Sequence, residues 1–340
     1  TRLADYMYQC ICYLAREHDV SVIAVRYRPD KLASYDFLEH QNVTLLFYDE
    51  TDLSPEWLES INPVAIFSSS WGDKRYLKVA LAWKNRVPLI VGLDNPWKNT
   101  VKQRINSRIS ALTVRKYFNK IWVAGPQQFT YAVKLGFSYN DIIQGVYSAD
   151  DEKFTCKEKV LDNTDSLTLL FVGRLVDYKR PLLLAELFNE IQTEEPALNI
   201  WKLKIVGSGP QESSIREISN PNISVSGFTD PSQLPSLYNE ASVFCLPSVG
   251  EHWGVVVHEA ALCGLPLLLS DSVSASSALL IDGYNGFLFA TSSRDSFKEN
   301  LRKIMHCSIA EIHEMGQRSS QMAKAFSKEL WAARLLSVLN

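Results

Sequence analysis

The sequence predicts an α/β protein made of two Rossmann-like, doubly wound domains. Three observations carry this reading. Short β-branched runs alternate with longer amphipathic stretches along the chain, the pattern of stacked βα units with parallel sheets. At 340 residues the chain is long enough for two domains of about 150 residues each. Residues 150–165 are polar and aperiodic, and they interrupt the alternation near its middle, where a domain boundary belongs. We place the N-terminal domain at residues 1–155 and the C-terminal domain from 156 onward.

Taken in order, the expected strands of the first half are 20–26, 43–48, 64–67, 87–91, 121–123 and 142–146. Helix-period stretches separate them, notably 73–84, 98–118 and 127–135. In the second half the strands are 167–172, 203–206, 223–225, 243–246 and 265–269. The chain opens on an amphipathic stretch, residues 1–18, leading into the first of these strands. A doubly wound domain ordinarily opens on a strand and a glycine-bearing turn, so we expect its first strand to be missing. Two such domains facing each other would hold a ligand in the cleft between them, at the carboxyl ends of the strands.

Composition excludes several classes. Apolar residues are 46% and charged residues 21% of the chain, which argues against a disordered tail, a fibre or a coiled coil. No apolar run reaches the roughly 18 residues of a membrane-spanning helix. No basic segment followed by an apolar one opens the sequence, so no signal peptide is expected. Cys10, Cys12, Cys156, Cys245, Cys263 and Cys307 are scattered without metal-ligand spacing. They read as reduced thiols of a cytoplasmic protein, and no metal is expected.

Charge is uneven. Residues 1–150 carry 18 Lys and Arg against 15 Asp and Glu, whereas the remainder carries 17 against 23. Between residues 74 and 134 there are 13 basic residues and a single acid, Asp94. No nucleic-acid motif accompanies this stretch, so an anionic partner in general is the better reading. Val101, Ile105, Ile109 and Leu112 recur at helical spacing there, with Lys102, Arg108, Arg115 and Lys116 off the stripe. Two readings stay open for residues 98–120: the stripe packs on the sheet, or the segment meets anionic headgroups or a diphosphate-linked acceptor.

The chemistry concentrates in the second half. In Phe171-Val-Gly173-Arg174-Leu-Val-Asp-Tyr-Lys179-Arg180 a buried strand ends and a short loop presents two cations, the composition of a diphosphate clamp. Lys204-Ile-Val-Gly207-Ser-Gly209-Pro210 is a strand running into a glycine turn, where backbone and ligand can approach closely. Pro247-Ser-Val-Gly-Glu251-His252-Trp253-Gly254-Val255-Val-Val-His258-Glu259 carries one carboxylate on a loop. The second, Glu259, lies about two turns into a helix opening near Gly254. The N–H groups of that helix start suit an anion, and Glu259 suits a cis-diol such as ribose. His258 is expected to pack inside the helix, leaving His252 as the histidine with a role.

The order Gly173-Arg174…Lys179, Val206-Gly207-Ser208-Gly209, Ser226-Gly227-Phe228, Glu251-x7-Glu259, Ala260-x3-Gly264-x-Pro266 and Asp282-Gly283-x-Asn285-Gly286 resembles the retaining GT-B glycosyltransferases of family 4. Gly136-Phe-Ser with residues 142–154 resembles that family's hinge segment. Phe326-Ser-Lys-Glu-Leu-Trp331 resembles its closing helix, which would place 326–340 back on the N-terminal domain and end the C-terminal one at 325. The resemblance implies transfer of a sugar from a UDP-, GDP- or ADP-sugar to a glycan or lipid-linked acceptor, usually without a metal or other cofactor. It implies that Arg174 and Lys179 neutralise the leaving diphosphate and that Glu259 binds ribose. Glu251, His252 and the backbone of Trp253, Gly254 and Val255 would hold the donor sugar, and the segment around Phe228 the base, beside the glycine turns at Gly173, Gly207 and Gly209. Asp94 stands where many members place a histidine, so it is the candidate for the acceptor or the sugar. The usual glutamate before the Asp-Gly-x-Asn-Gly turn is Ala278, and the hinge reads Gln144-Gly145. A nucleotide-sugar epimerase and a non-catalytic nucleotide-sugar-binding protein are the competing functions.

Overall fold

A computed structural model describes residues 3–28, 37–157 and 166–339. The chain forms two compact units, Thr1–Asp150 with Phe326–Asn340, and Asp151–Ala325.

In the first unit the strands are Val22–Arg26 (β1), Val43–Phe47 (β2), Ile66–Ser68 (β3), Leu89–Leu93 (β4), Lys120–Val123 (β5) and Ile142–Gln144 (β6). All neighbours pair in parallel, but in two sheets: β1 with β2, and β3-β4-β5-β6. In the doubly wound order 3-2-1-4-5-6, the first strand sits at the place where this ladder breaks. No described residue forms a strand there. The opening helix is Asp5–Glu17, and its apolar residues Tyr8, Cys10, Leu14 and Ala15 are buried. The helix Lys328–Leu336 packs on this unit, with Trp331 stacked on Trp122 at 4.9 Å and donating to Val146 O at 2.9 Å. Lys328 reaches Asp150 at 2.5 Å, an almost fully buried ion pair at the end of the unit's first segment.

The single helix expected over 98–118 is three pieces. A capping box between Thr100 and Gln103 starts the helix Val101–Arg108. A 3-10 turn, Ser110–Leu112, follows, and Thr113, at φ −117° and ψ −105°, breaks the path before the short helix Val114–Tyr117. The apolar stripe does not pack on the sheet: Val101, Ile105, Ile109 and Leu112 are 70%, 50%, 40% and 75% exposed.

The second unit is one parallel sheet of six strands: Leu167–Val172 (β7), Trp201–Val206 (β8), Ile223–Ser226 (β9), Val243–Leu246 (β10), Leu267–Ser270 (β11) and Gly286–Phe289 (β12). Its order is β12-β11-β10-β7-β8-β9, the doubly wound order with the switch point between β7 and β10. Every residue of β10 and β11 is buried, as strands covered on both faces must be, and this explains their unbroken apolar sequences. No strand is expected from the sequence at β12. The motif before it acts as a turn builder: Asn285, fully buried, accepts from Ile281 N and donates to Leu279 O and Ser319 Oγ, and Asp282 accepts from Leu288 N.

Candidate functional site

The loops that follow β7 and β10 leave the sheet on either side of the switch point, where open α/β sheets bind ligands. The loop after β7 carries Arg174 and the 3-10 turn Asp177–Lys179. Lys179 lies along the sheet end with its side chain only 11% exposed, and its Nζ donates to Glu251 Oε2 at 2.7 Å. Glu251, 18% exposed, comes from the loop after β10 and also accepts from Ser248 Oγ at 3.5 Å. Two residues 72 apart in sequence are thus brought into one charge pair.

Tyr178 joins the constellation, and sequence reasoning missed it. Its hydroxyl accepts from Arg174 Nη2, its ring lies 5.7 Å from that guanidinium and 5.9 Å from Lys179 Nζ, and its carbonyl accepts from Val249 N at 2.7 Å. It therefore spaces the two cations and ties one loop to the other. The available signal was its place between Asp177 and Lys179, in a loop already read as a clamp. Arg174 itself is exposed.

The glycine turn after β8 lies against the neighbouring loop. A Cβ on Gly207, at φ +139°, would stand 1.9 Å from Gly173 O, and one on Gly209 would stand 2.4 Å from Leu175 O. The close approach that these glycines permit is therefore to the loop after β7. Gly173 N–H donates to Val206 O and Leu175 N–H to Ser208 O, both at 2.9 Å, which fixes the loop that carries the cations. Phe228, beyond β9, is 71% exposed.

The helix after β10 is Val255–Leu262, with Gly254 as its N-cap at φ +92°. A Cβ on Gly254 would press on Glu251 Cγ at 3.0 Å, so the cap and the loop carboxylate are packed together. The N–H groups that open such a helix carry partial positive charge, although that of Val257 is already given to Gly254 O at 2.9 Å. Glu259 is the fifth residue of the helix, little more than one turn in and not two, so it stands nearer to that positive end. It is half-buried and accepts from Tyr238 Oη at 2.8 Å. Burial pushes the Tyr238 phenol well above its ordinary range, and the Glu259 carboxylate beside it adds to the rise, so the tyrosine stays a donor. Sequence gave no signal for Tyr238, because the contact joins two helices 21 residues apart.

His252 is exposed, Val255 is half-buried, and Trp253 is buried, accepting from Ala275 N at 3.1 Å. His258 packs, as expected: it is fully buried and donates from Nε2 to Ala323 O at 3.0 Å. Desolvation lowers its pKa to about 4 against the pull of that carbonyl, so the ring is neutral near pH 7. Asp94 belongs to the first unit, where it follows the carboxyl end of β4. It accepts from Tyr147 Oη at 3.3 Å and from Asn95 Nδ2 at 3.2 Å, and its carbonyl accepts from Gln128 at 2.9 Å. Burial, chiefly, raises the Tyr147 phenol far above its usual value, so that hydroxyl too remains a donor.

The sequence profile named Glycosyl transferases group 1 matches residues 152–325, just over half of the chain. The chain belongs to that family. Among its curated relatives within the group 1 glycosyltransferases, the D-inositol 3-phosphate glycosyltransferase of Kribbella flavida is 28% identical over 186 residues, which cover 51% of this chain and 43% of that protein. The GtfA subunit of the UDP-N-acetylglucosamine–peptide N-acetylglucosaminyltransferase of Streptococcus pneumoniae is 26% identical over 249 residues, 63% of this chain and 47% of that one. The matched part of the chain thus spans less than half the length of these relatives. Among solved structures, Anabaena HepE in complex with UDP and glucose superposes with a TM-score of 0.73 at 14% identity, covering 99% of this chain and 96% of the other. These likenesses establish the GT-B fold, built of two Rossmann-like units.

Among the described residues no helix is long and apolar enough to cross a membrane.

Proposed function

We propose that the protein is a retaining glycosyltransferase that moves a sugar from a nucleoside-diphosphate donor to a glycan or lipid-linked acceptor. The observation that carries the reading is the convergence of Arg174, Lys179, Glu251 and the start of the helix Val255–Leu262 at the switch point of the second unit. Breaking an anomeric bond to a diphosphate places negative charge on the β-phosphate. Positive groups fixed beforehand stabilise that charge without reorganising in the transition state.

In this reading Lys179 keeps one ammonium proton on Glu251 and offers its others to the diphosphate, since an ammonium has three donors. Arg174, held by Tyr178, supplies the second cation, and the first-turn amides add a third positive contribution. Charge on the leaving group is met by these groups and not by a metal ion. Glu259, oriented by Tyr238, accepts the ribose hydroxyls. Glu251 with His252 and the Trp253–Gly254–Val255 backbone holds the donor sugar, the segment at Phe228 faces the base, and Asp94 serves the acceptor. Gly173, Gly207 and Gly209 act through the loop geometry described above. The family membership and the UDP and UDP-glucose named with the HepE structures favour a nucleotide-sugar donor.

The test is turnover. The protein is incubated with UDP-, GDP- and ADP-sugars, and released nucleotide, sugar epimer and product anomer are followed. Release of nucleotide from one donor, reduced about 10²–10³-fold by Arg174→Ala or Lys179→Ala, is the expected result on the scale of a lost charge-stabilising donor. Epimerised sugar, or tight binding with no turnover, overturns the transferase reading in favour of an epimerase or a binding protein.

A further inference from the structure

The segment 98–120 holds Lys98, Lys102, Arg104, Arg108, Arg115, Lys116 and Lys120 and no acid. Lys120 is paired with Asp141 at 2.8 Å, and Arg104 turns back to Asn99. Among the described residues, Lys98, Lys102, Arg108, Arg115 and Lys116 have no ion pair with a carboxylate. The helix Val101–Arg108 buries none of its residues, which is unusual for a helix of a folded domain. At about 100° per residue, Val101, Ile105 and Ile109 form one stripe; Lys102 lies on one flank, and Arg104 and Arg108 on the other. Short aliphatic side chains point outward at the centre, and long cationic side chains rim them. Trp97 and Tyr117 pack against the unit's main core on either side of the segment, so the patch is held on the body of the unit.

We propose that this face docks on a lipid surface containing anionic headgroups. The charge decides the occupant. A rim of cations without a compensating acid repels a second copy of itself, whereas anionic lipid supplies both the opposite charge and an apolar layer beneath it. A stripe of Val, Ile and Leu, without the buried aromatic or arginine anchor of a protein hot spot, fits shallow insertion better than a protein interface. Lysine and arginine stems lie along the apolar boundary while their charged ends stay among the headgroups. The proposal rests on this surface alone and stands apart from the donor chemistry of the other unit.

Co-sedimentation of the full chain with vesicles tests it, using phosphatidylcholine alone and phosphatidylcholine with about a third phosphatidylglycerol. Binding is expected to the second only, and to weaken steeply between low and high sodium chloride. Lys102→Gln with Arg108→Gln is expected to weaken low-salt binding about 25-fold, since each cation near such a surface contributes about fivefold. Val101→Ser with Ile105→Ser is expected to remove most of the remainder while leaving nucleotide release in vesicle-free solution unchanged. Equal binding of the stripe variant and the parent overturns the proposal. So does an absence of vesicle binding, whether or not light scattering shows a dimer that the stripe variant disrupts.

Discussion

Two groups of cations in this molecule are built in opposite ways. Arg174 and Lys179 sit at the carboxyl end of a buried sheet, the first held by Tyr178, the second buried against Glu251. Lys102 and Arg108 stand on a helix with no buried residue, beside exposed aliphatic side chains. The contrast shows that positive charge can be used by position or by accumulation. A fixed cation acts on one atom of a ligand and, where it is buried as Lys179 is, is screened weakly. Exposed cations act together on a diffuse charge, each contributes little, and salt removes their effect.

The comparison can be broken most decisively at Lys179. Lys179→Ala should lower the initial rate of nucleotide release about 10²–10³-fold, and the ratio to the parent should change little between about 0.05 and 0.5 M salt. A ratio that collapses toward one in high salt would place Lys179 in the same class as Lys102.

The helix behind the fixed site should show a pH signature. His258 is held at a pKa of about 4, below its unfolded value near 6.5, so the folded state binds fewer protons between those values. Its contribution is complete above the unfolded value and is lost as pH falls toward the folded one. Urea midpoints should therefore show the parent losing up to about 3 kcal/mol more than His258→Gln between pH 7 and pH 4.

Smaller still is the expected effect of Tyr238→Phe, which removes one hydrogen bond to Glu259 and leaves the ring packing in place. Donor KM should rise about five- to tenfold, or about 1.0–1.4 kcal/mol, with kcat nearly unchanged. A fall in kcat at constant KM would move Glu259 from ribose binding to the reacting centre. The smallest single effect belongs to Lys102→Gln, about 1 kcal/mol of vesicle affinity at low salt and none at about 0.5 M.

Much of the fold was legible from alternation alone. Two buried strands, β7 and β10, ran over the expected residues, and most other strand boundaries moved by one or two. The failures share a cause: they depend on contacts outside the local window. The stretch 98–118 keeps a helical period through Leu112, but the turn at Thr113 divides it. The strand β12 is four residues long and becomes a strand only because Leu267–Ser270 lies beside it. Gly207 and Gly209 announced a close approach without saying to what, and the neighbouring loop turned out to be the answer.

By itself the sequence determined the class of the molecule, the parallel sheets and the residues worth watching, because periodicity and residue chemistry are local properties. Tertiary structure alone decided which of those residues meet. It paired Lys179 with Glu251 across 72 positions, placed Tyr178 and Tyr238 behind the charges, and left the stripe from Val101 to Leu112 facing outward. Such pairings and exposures follow from strand order and from which surfaces find a neighbour, and neither is written in any single stretch of chain.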